Sequence, residues 1–156
     1  MVRFILSRSE SLFRLIPESV ILFIARFGIA AVFWKSGQTK IEGFSLDIIS
    51  GHIHLGWPHL SDTAIYLFEN DYKLPLLAPV VAAVMAALAE HILSTLILFG
   101  LFTRLAAFGL AFMTMVIEIF VYPDAYPTHA TWLALTLLLM LKGAGKLSLD
   151  HWISKR

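Results

Sequence analysis

Glu118, His129 and Trp132 bring a carboxylate, an imidazole and an indole to the two sides of one tight turn. His129 and Trp132 are three residues apart, so at the start of a helix they share a face. Lys35 ends an apolar stretch that reaches the same membrane face. A carboxylate within reach of an imidazole shares a proton, and a flat apolar headgroup stacks on an indole. Glu118 and His129 are therefore the candidate catalytic residues. Lys35 and Trp132 are the candidate cofactor-binding residues, and a quinone is the cofactor they suit. Trp, Tyr and Lys are also common at membrane interfaces, so a plain anchoring belt is the competing reading.

Two further charges lie deep in apolar stretches. Arg26 and Glu90 each sit ten residues inside one, roughly 15 Å from the opposite, cytoplasmic face and near the midplane. Ionisable residues there are costly, and each is a candidate site. A structural ion pair between Arg26 and Glu90 neutralises both charges and satisfies the guanidinium donors. His91 points about 100° away from Glu90 and reads as an interhelix hydrogen bonder. In HIHLGWPHL, His52, His54 and His59 are close in sequence. A His-x-His pair binds metal when both rings face one way, but no cysteine or adjacent acid completes a ligand set. No metal is predicted, and the segment is read as a solvated or headgroup-facing loop.

The elements that must position these side chains are membrane helices. Apolar residues make up 58% of the 156 and charged residues 15%, too few to cover a soluble domain of this size. The apolar excess falls in long blocks. The expected fold is all-α, a single-domain integral membrane four-helix bundle. Its spans run over about 16–35, 76–100, 105–121 and 129–143, with an external loop over 37–75. Short helices on the bilayer surface are expected in that loop, with Trp57 and Tyr66 near the headgroups. After Gly143, the tail offers Leu147, Leu149, Trp152 and Ile153 as a weak amphipathic anchor.

Arg3, Arg8, Arg14, Arg104, Lys142, Lys146, Lys155 and Arg156 all fall on one side under four spans. The loop's Lys35, Lys40 and Lys73 are outnumbered by acids. Both termini are thus expected in the cytoplasm. The absence of cysteine removes disulfides, thiol nucleophiles and iron–sulfur ligation. A net charge of +1 gives no reason to expect nucleic-acid binding.

Four stretches in order carry a family resemblance: RFGIAAVFWKSGQTKIEGF, LPLLAPVVAAVMAALAEHILSTLILFGLFTRLAA, VYPDAYPTHATW and KGAGKLSLD. Together they resemble the DoxX family across roughly Val20 to Trp152. Ala144 departs from the family's usual Gly-Pro-Gly. The resemblance implies a small bacterial inner-membrane protein with four helices. It also implies that Arg26, Lys35, Lys40, Glu90, Arg104, Glu118, His129 and Trp132 are the matching polar positions. The family takes its name from a subunit of a thiosulfate:quinone oxidoreductase, and most members have no assigned activity. The leading expectation is a membrane component of a redox system, interacting with quinone and acting with a partner subunit. The alternatives are a small proton-coupled transporter using Arg26 and Glu90, and a scaffolding membrane protein without catalysis.

Overall fold

The computed structural model describes residues 13, 15–47 and 50–155. Arg3, Arg8, Arg14 and Arg156, which entered the orientation argument, lie outside the described residues. Helix α1 spans Glu18–Gln38 and α3 spans Pro79–Phe99. Helix α4 spans Thr103–Phe120 and α5 spans Tyr126–Lys142. These four pack in a ring in which α1 touches α3 and α5, and α4 closes the gap between them. Between α1 and α3 lie strands β1 (Ile41–Asp47) and β2 (His52–Leu60), helix α2 (Asp62–Leu67) and a wide turn over Phe68–Tyr72. Helix α6, Leu149–Ser154, ends the described chain.

Local chemistry sets the helix limits. Pro17 precedes α1 in an extended conformation, and Glu18 in the first turn complements the helix dipole. Pro79 opens α3, where its missing N–H costs nothing. Gly100 closes α3 in the left-handed region at φ 68°, with Leu101 N–H donating to the Leu96 carbonyl at 2.9 Å. The next helix starts three residues later, so α3 and α4 are antiparallel neighbours. The first amides of α4 have no carbonyl partner within the helix. Asp150 takes two of them, Phe102 N–H at 2.8 Å and Thr103 N–H at 3.0 Å.

The buried face of α1 carries Leu22, Ala25, Ile29 and Phe33, a repeat of three or four residues. It packs on Ile97 of α3, Ala106 and Leu110 of α4, and Leu139 of α5. Besides Glu90 and Ile97, the buried positions of α3 are Ala82, Ala83, Ala87 and Ser94. Small residues there let helices approach where lipid supplies no hydrophobic drive. The outside of the bundle is apolar as well: Ile24, Phe27, Met85, Leu88, Phe108 and Phe112 are each more than half exposed. Among the described residues, α1, α3 and α4 are long and apolar enough to cross a membrane. Helix α5 has 17 residues.

The start of α1 and the end of α5 lie at one end of the bundle. Lys142 and Glu18 form an ion pair at 2.9 Å, and Lys146 N–H donates to Ser19 at 3.4 Å. The helices begin and end within a few residues of the expected spans. The loop is different: the segment expected to form surface helices is mostly an antiparallel hairpin, with Asp47 opposite His52 and Ile41 opposite Leu60. The strict alternation of His52, Ile53, His54 and Leu55 favours a strand over a helix. Helix α2 and the turn after it do fold back onto α3, where Phe68 packs with Ala82 and Ala83.

Candidate functional site

The end of the bundle next to the hairpin holds a cavity of about 170 Å³. Helix α1 lines it with Phe33, Ser36 and the residue just past its end, Lys40. Helix α3 contributes Glu90, α4 contributes Met113 and Ile117, and α5 contributes His129 and Trp132. Phe68 and Tyr72 from the wide turn, and Tyr122 from the α4–α5 turn, complete it.

Two charge pairs face this space. Glu90 is 2% exposed, and its Oε2 lies 2.8 Å from Lys40 Nζ. Ser36 Oγ donates to Glu90 Oε1 at 2.9 Å, and Lys40 Nζ donates to Ser36 Oγ at 3.0 Å. Burial of one charge alone is costly, and here three polar groups from two helices share it. The lysine is fixed from behind as well, because its backbone carbonyl accepts from Ser61 N–H at 2.9 Å and so ties the hairpin to the helix end.

The second pair is His129 with Glu118, whose Nδ1···Oε2 distance is 2.5 Å. A carboxylate can only accept, so Nδ1 carries the hydrogen. In the neutral ring Nε2 is then an acceptor, and in the charged ring both nitrogens donate. The ring of His129 lies 4.9 Å from that of Trp132, which meets Phe33 edge-on at 5.4 Å. Near the outer end, the Tyr72 and Tyr122 hydroxyls are 3.1 Å apart. Burial, helped by that hydrogen bond, pushes the Tyr72 phenol above its ordinary pKa, so it stays a neutral O–H group.

Glu118, His129 and Trp132 come together as their spacing predicts, with Glu118 behind the histidine rather than on the cavity wall. Lys35 does not join them. It is exposed in the last turn of α1, about 100° around the helix from Ser36, and Lys40 supplies the ammonium instead. Helical spacing from Phe33 through Ser36 to Lys40 is the signal that singles out this lysine. Ser36, Tyr72 and Phe33 carry no sequence signal that separates them from ordinary interfacial residues.

The expected Arg26–Glu90 ion pair is absent, and the two charges lie at different depths. Arg26 donates to the carbonyls of Leu98 at 3.0 Å and Ile97 at 3.4 Å, and also to that of Leu147. Glu90 faces Ser36, ten residues further along α1, or about 15 Å away. The expectation treats α1 and α3 as flush at their ends. In fact the last turn of α3 faces Arg26, and the first two turns of α1 project beyond it to meet the tail, where Gly145 packs against Leu22 and Ser19. His91 does bridge helices: Gln38 Nε2 donates to its Nε2 at 2.8 Å, and its Nδ1 bonds the Ala87 carbonyl at 2.7 Å. On the hairpin, His54 Nδ1 bonds the Gly43 carbonyl at 2.8 Å and His59 lies 3.8 Å from Glu42. Among the described residues, no group of three or more side chains gathers there as a metal-ligand set.

The model of the DoxX family matches residues 21–123. No curated protein and no solved structure matches the chain. The match includes Arg26, Lys40, Glu90, Arg104 and Glu118, and ends before His129 and Trp132. It covers most of the chain, which belongs to the DoxX family and is a multi-pass membrane protein.

Proposed function

We propose that this DoxX-family protein binds a quinone headgroup in the cavity between its four helices and serves as the membrane component of a redox system. The observation that carries this reading is that one small cavity walled by Trp132, Phe33 and Tyr72 is lined by Lys40, the buried Glu90 it pairs with, and the buried His129, which Glu118 holds from behind. A quinone ring is flat and apolar, with an acceptor oxygen at each end. Aromatic walls suit its faces. Lys40, Tyr72 and a protonated His129 are donors for its oxygens.

Reduction of a quinone to a quinol takes two electrons and two protons. In this reading the chain handles the protons. His129 donates one proton from its imidazolium form, which Glu118 steadies through Nδ1, and the Lys40 ammonium donates the other, each being reprotonated from water. The electrons come from a partner subunit, because a chain without cysteine has no thiol chemistry to supply them. The proposed setting is a bacterial inner membrane, crossed four times, with both termini in the cytoplasm. The return of the chain to one end of the bundle after α5 supports an even number of crossings. The transporter alternative relied on an Arg26–Glu90 pair, and those residues have other partners.

Titration of the detergent-purified protein with a short-chain ubiquinone, followed by tryptophan fluorescence, tests the reading. Saturable quenching is expected. His129→Ala should weaken it roughly tenfold to a hundredfold, the worth of one hydrogen bond to a charged group. Equal affinity in the variant and the parent would refute this site.

A further inference from the structure

At the other end of the bundle lies a larger hollow, about 680 Å³, between the starts of α1 and α4, the end of α5, the tail after it and α6. Four of its lining side chains are basic or can become so: Arg104, Lys142, Lys146 and His151. Two acids also line it, and both are engaged. Glu18 pairs with Lys142 at 2.9 Å, and both carboxylate oxygens of Asp150 accept amides at the start of α4. Arg104 and Lys146 have no side-chain hydrogen bond or ion pair among the described residues. They come from different elements. The guanidinium of Arg104 lies beside Gly143, within 3.8 Å of the place a Cβ there would occupy. The floor is built by backbone that only small residues tolerate, with Gly143 at φ 78° and Gly145 at φ 76°.

The lining residues are flanked along the chain by apolar ones: Leu141, Leu147, Trp152 and Ile153, each next to a lining residue, are more than half exposed, and Ile16, next to Pro17, is about half exposed. Helix α6 is short, and its apolar residues Leu149, Trp152 and Ile153 are solvent-exposed in the isolated chain. A hollow with two uncommitted cations, set at the end of membrane helices and bordered by exposed aliphatic and indole side chains, matches a particular amphiphile. The charge suits a phosphate group and the border suits acyl chains. A free phosphate ion would use the first feature and leave the second without purpose.

We infer that this hollow is a binding site for the headgroup of an anionic phospholipid, with Arg104 and Lys146 as its phosphate ligands. The site is separate from the quinone cavity and does not depend on it. It would join α1, α4, α5 and α6 through one bound molecule, adding to direct contacts such as Lys142–Glu18 and the Asp150 cap.

The test is native mass spectrometry of the full chain, released from detergent after exchange with phosphatidylglycerol, with zwitterionic phosphatidylcholine, or with inorganic phosphate alone. The expected result is a retained phosphatidylglycerol adduct, little phosphatidylcholine adduct, and no displacement of the lipid by millimolar phosphate. The double variant Arg104→Gln, Lys146→Gln should bind phosphatidylglycerol roughly tenfold to thirtyfold more weakly, as expected for two cations near an anionic lipid. The double change Arg104→Lys, Lys146→Arg keeps the charges and should keep the adduct. It also controls for folding, together with the unchanged quinone titration. Equal retention of both lipids, retention undiminished in the neutral double variant, or displacement of the lipid by phosphate would each overturn the inference.

Discussion

Arg26 and Glu90 pose the same physical problem in opposite ends of one bundle, and the chain solves it differently in each. Both are almost fully buried, at 1% and 2% exposure. Arg26 spends its donors on backbone: the last carbonyls of α3 and the Leu147 carbonyl of the tail. The Leu98 carbonyl lies in the last turn of α3, past the end of its hydrogen-bond ladder, so the arginine acts as a side-chain cap that staples the tail to the bundle. Gly100 is part of the same arrangement, because a Cβ there would stand 2.4 Å from the guanidinium. Glu90 instead meets other side chains, and the groups around it border open space. A charge whose donors are spent on backbone carbonyls is architecture. A charge tied to movable side chains around a cavity can exchange partners with a ligand.

The contrast is sharpest under truncation. Arg26→Ala removes a large buried side chain and orphans the Leu98 and Leu147 carbonyls, for an expected loss of about 3–6 kcal/mol. Folded yield and thermal stability in detergent should collapse. Any protein that survives should bind quinone as the parent does.

Lys40→Met comes next, leaving the Glu90 carboxylate buried without its cation at a cost of about 3–5 kcal/mol. Protonation of the glutamate would soften the loss. Adding Glu90→Gln should recover part of the stability, and the double variant should still fail to bind quinone. Recovery of both would place Lys40 and Glu90 with the architecture and erase the contrast.

A smaller effect separates the two ends energetically. Arg26→Lys and Glu90→Gln should add within about 0.5 kcal/mol in thermal unfolding, because the residues share no partner. A larger coupling would mean that the ends are not independent. The smallest effect is expected at Lys35, whose replacement by Gln should change neither the melting temperature nor quinone affinity.

Much of this arrangement was legible in the sequence. Long apolar blocks, Pro79 and Gly100 marked the helices, and the tight turn at YPDAYP made Glu118 and His129 neighbours. Two things were hidden. Helix ends do not announce how far one projects past another, and that offset alone decides whether Arg26 meets Glu90 or the end of α3. The hairpin was the other. His52 to Leu55 alternate as a strand should, but its partner Ile41–Asp47 is interrupted by Gly43, where φ is 82°, and the pairing slips there. Once the hairpin is anchored through Ser61, Lys40 is held over Glu90 rather than free in a loop.

The central claim is that the cavity around His129 is a quinone site and the Arg26 end is not. Native mass spectrometry of the protein loaded with a short-chain ubiquinone tests it most directly, comparing the parent, His129→Ala and Arg26→Lys. The account predicts one bound quinone in the parent and in Arg26→Lys, and retention weakened at least roughly tenfold in His129→Ala despite an intact fold. Quinone retained by His129→Ala at the level of the parent would contradict it.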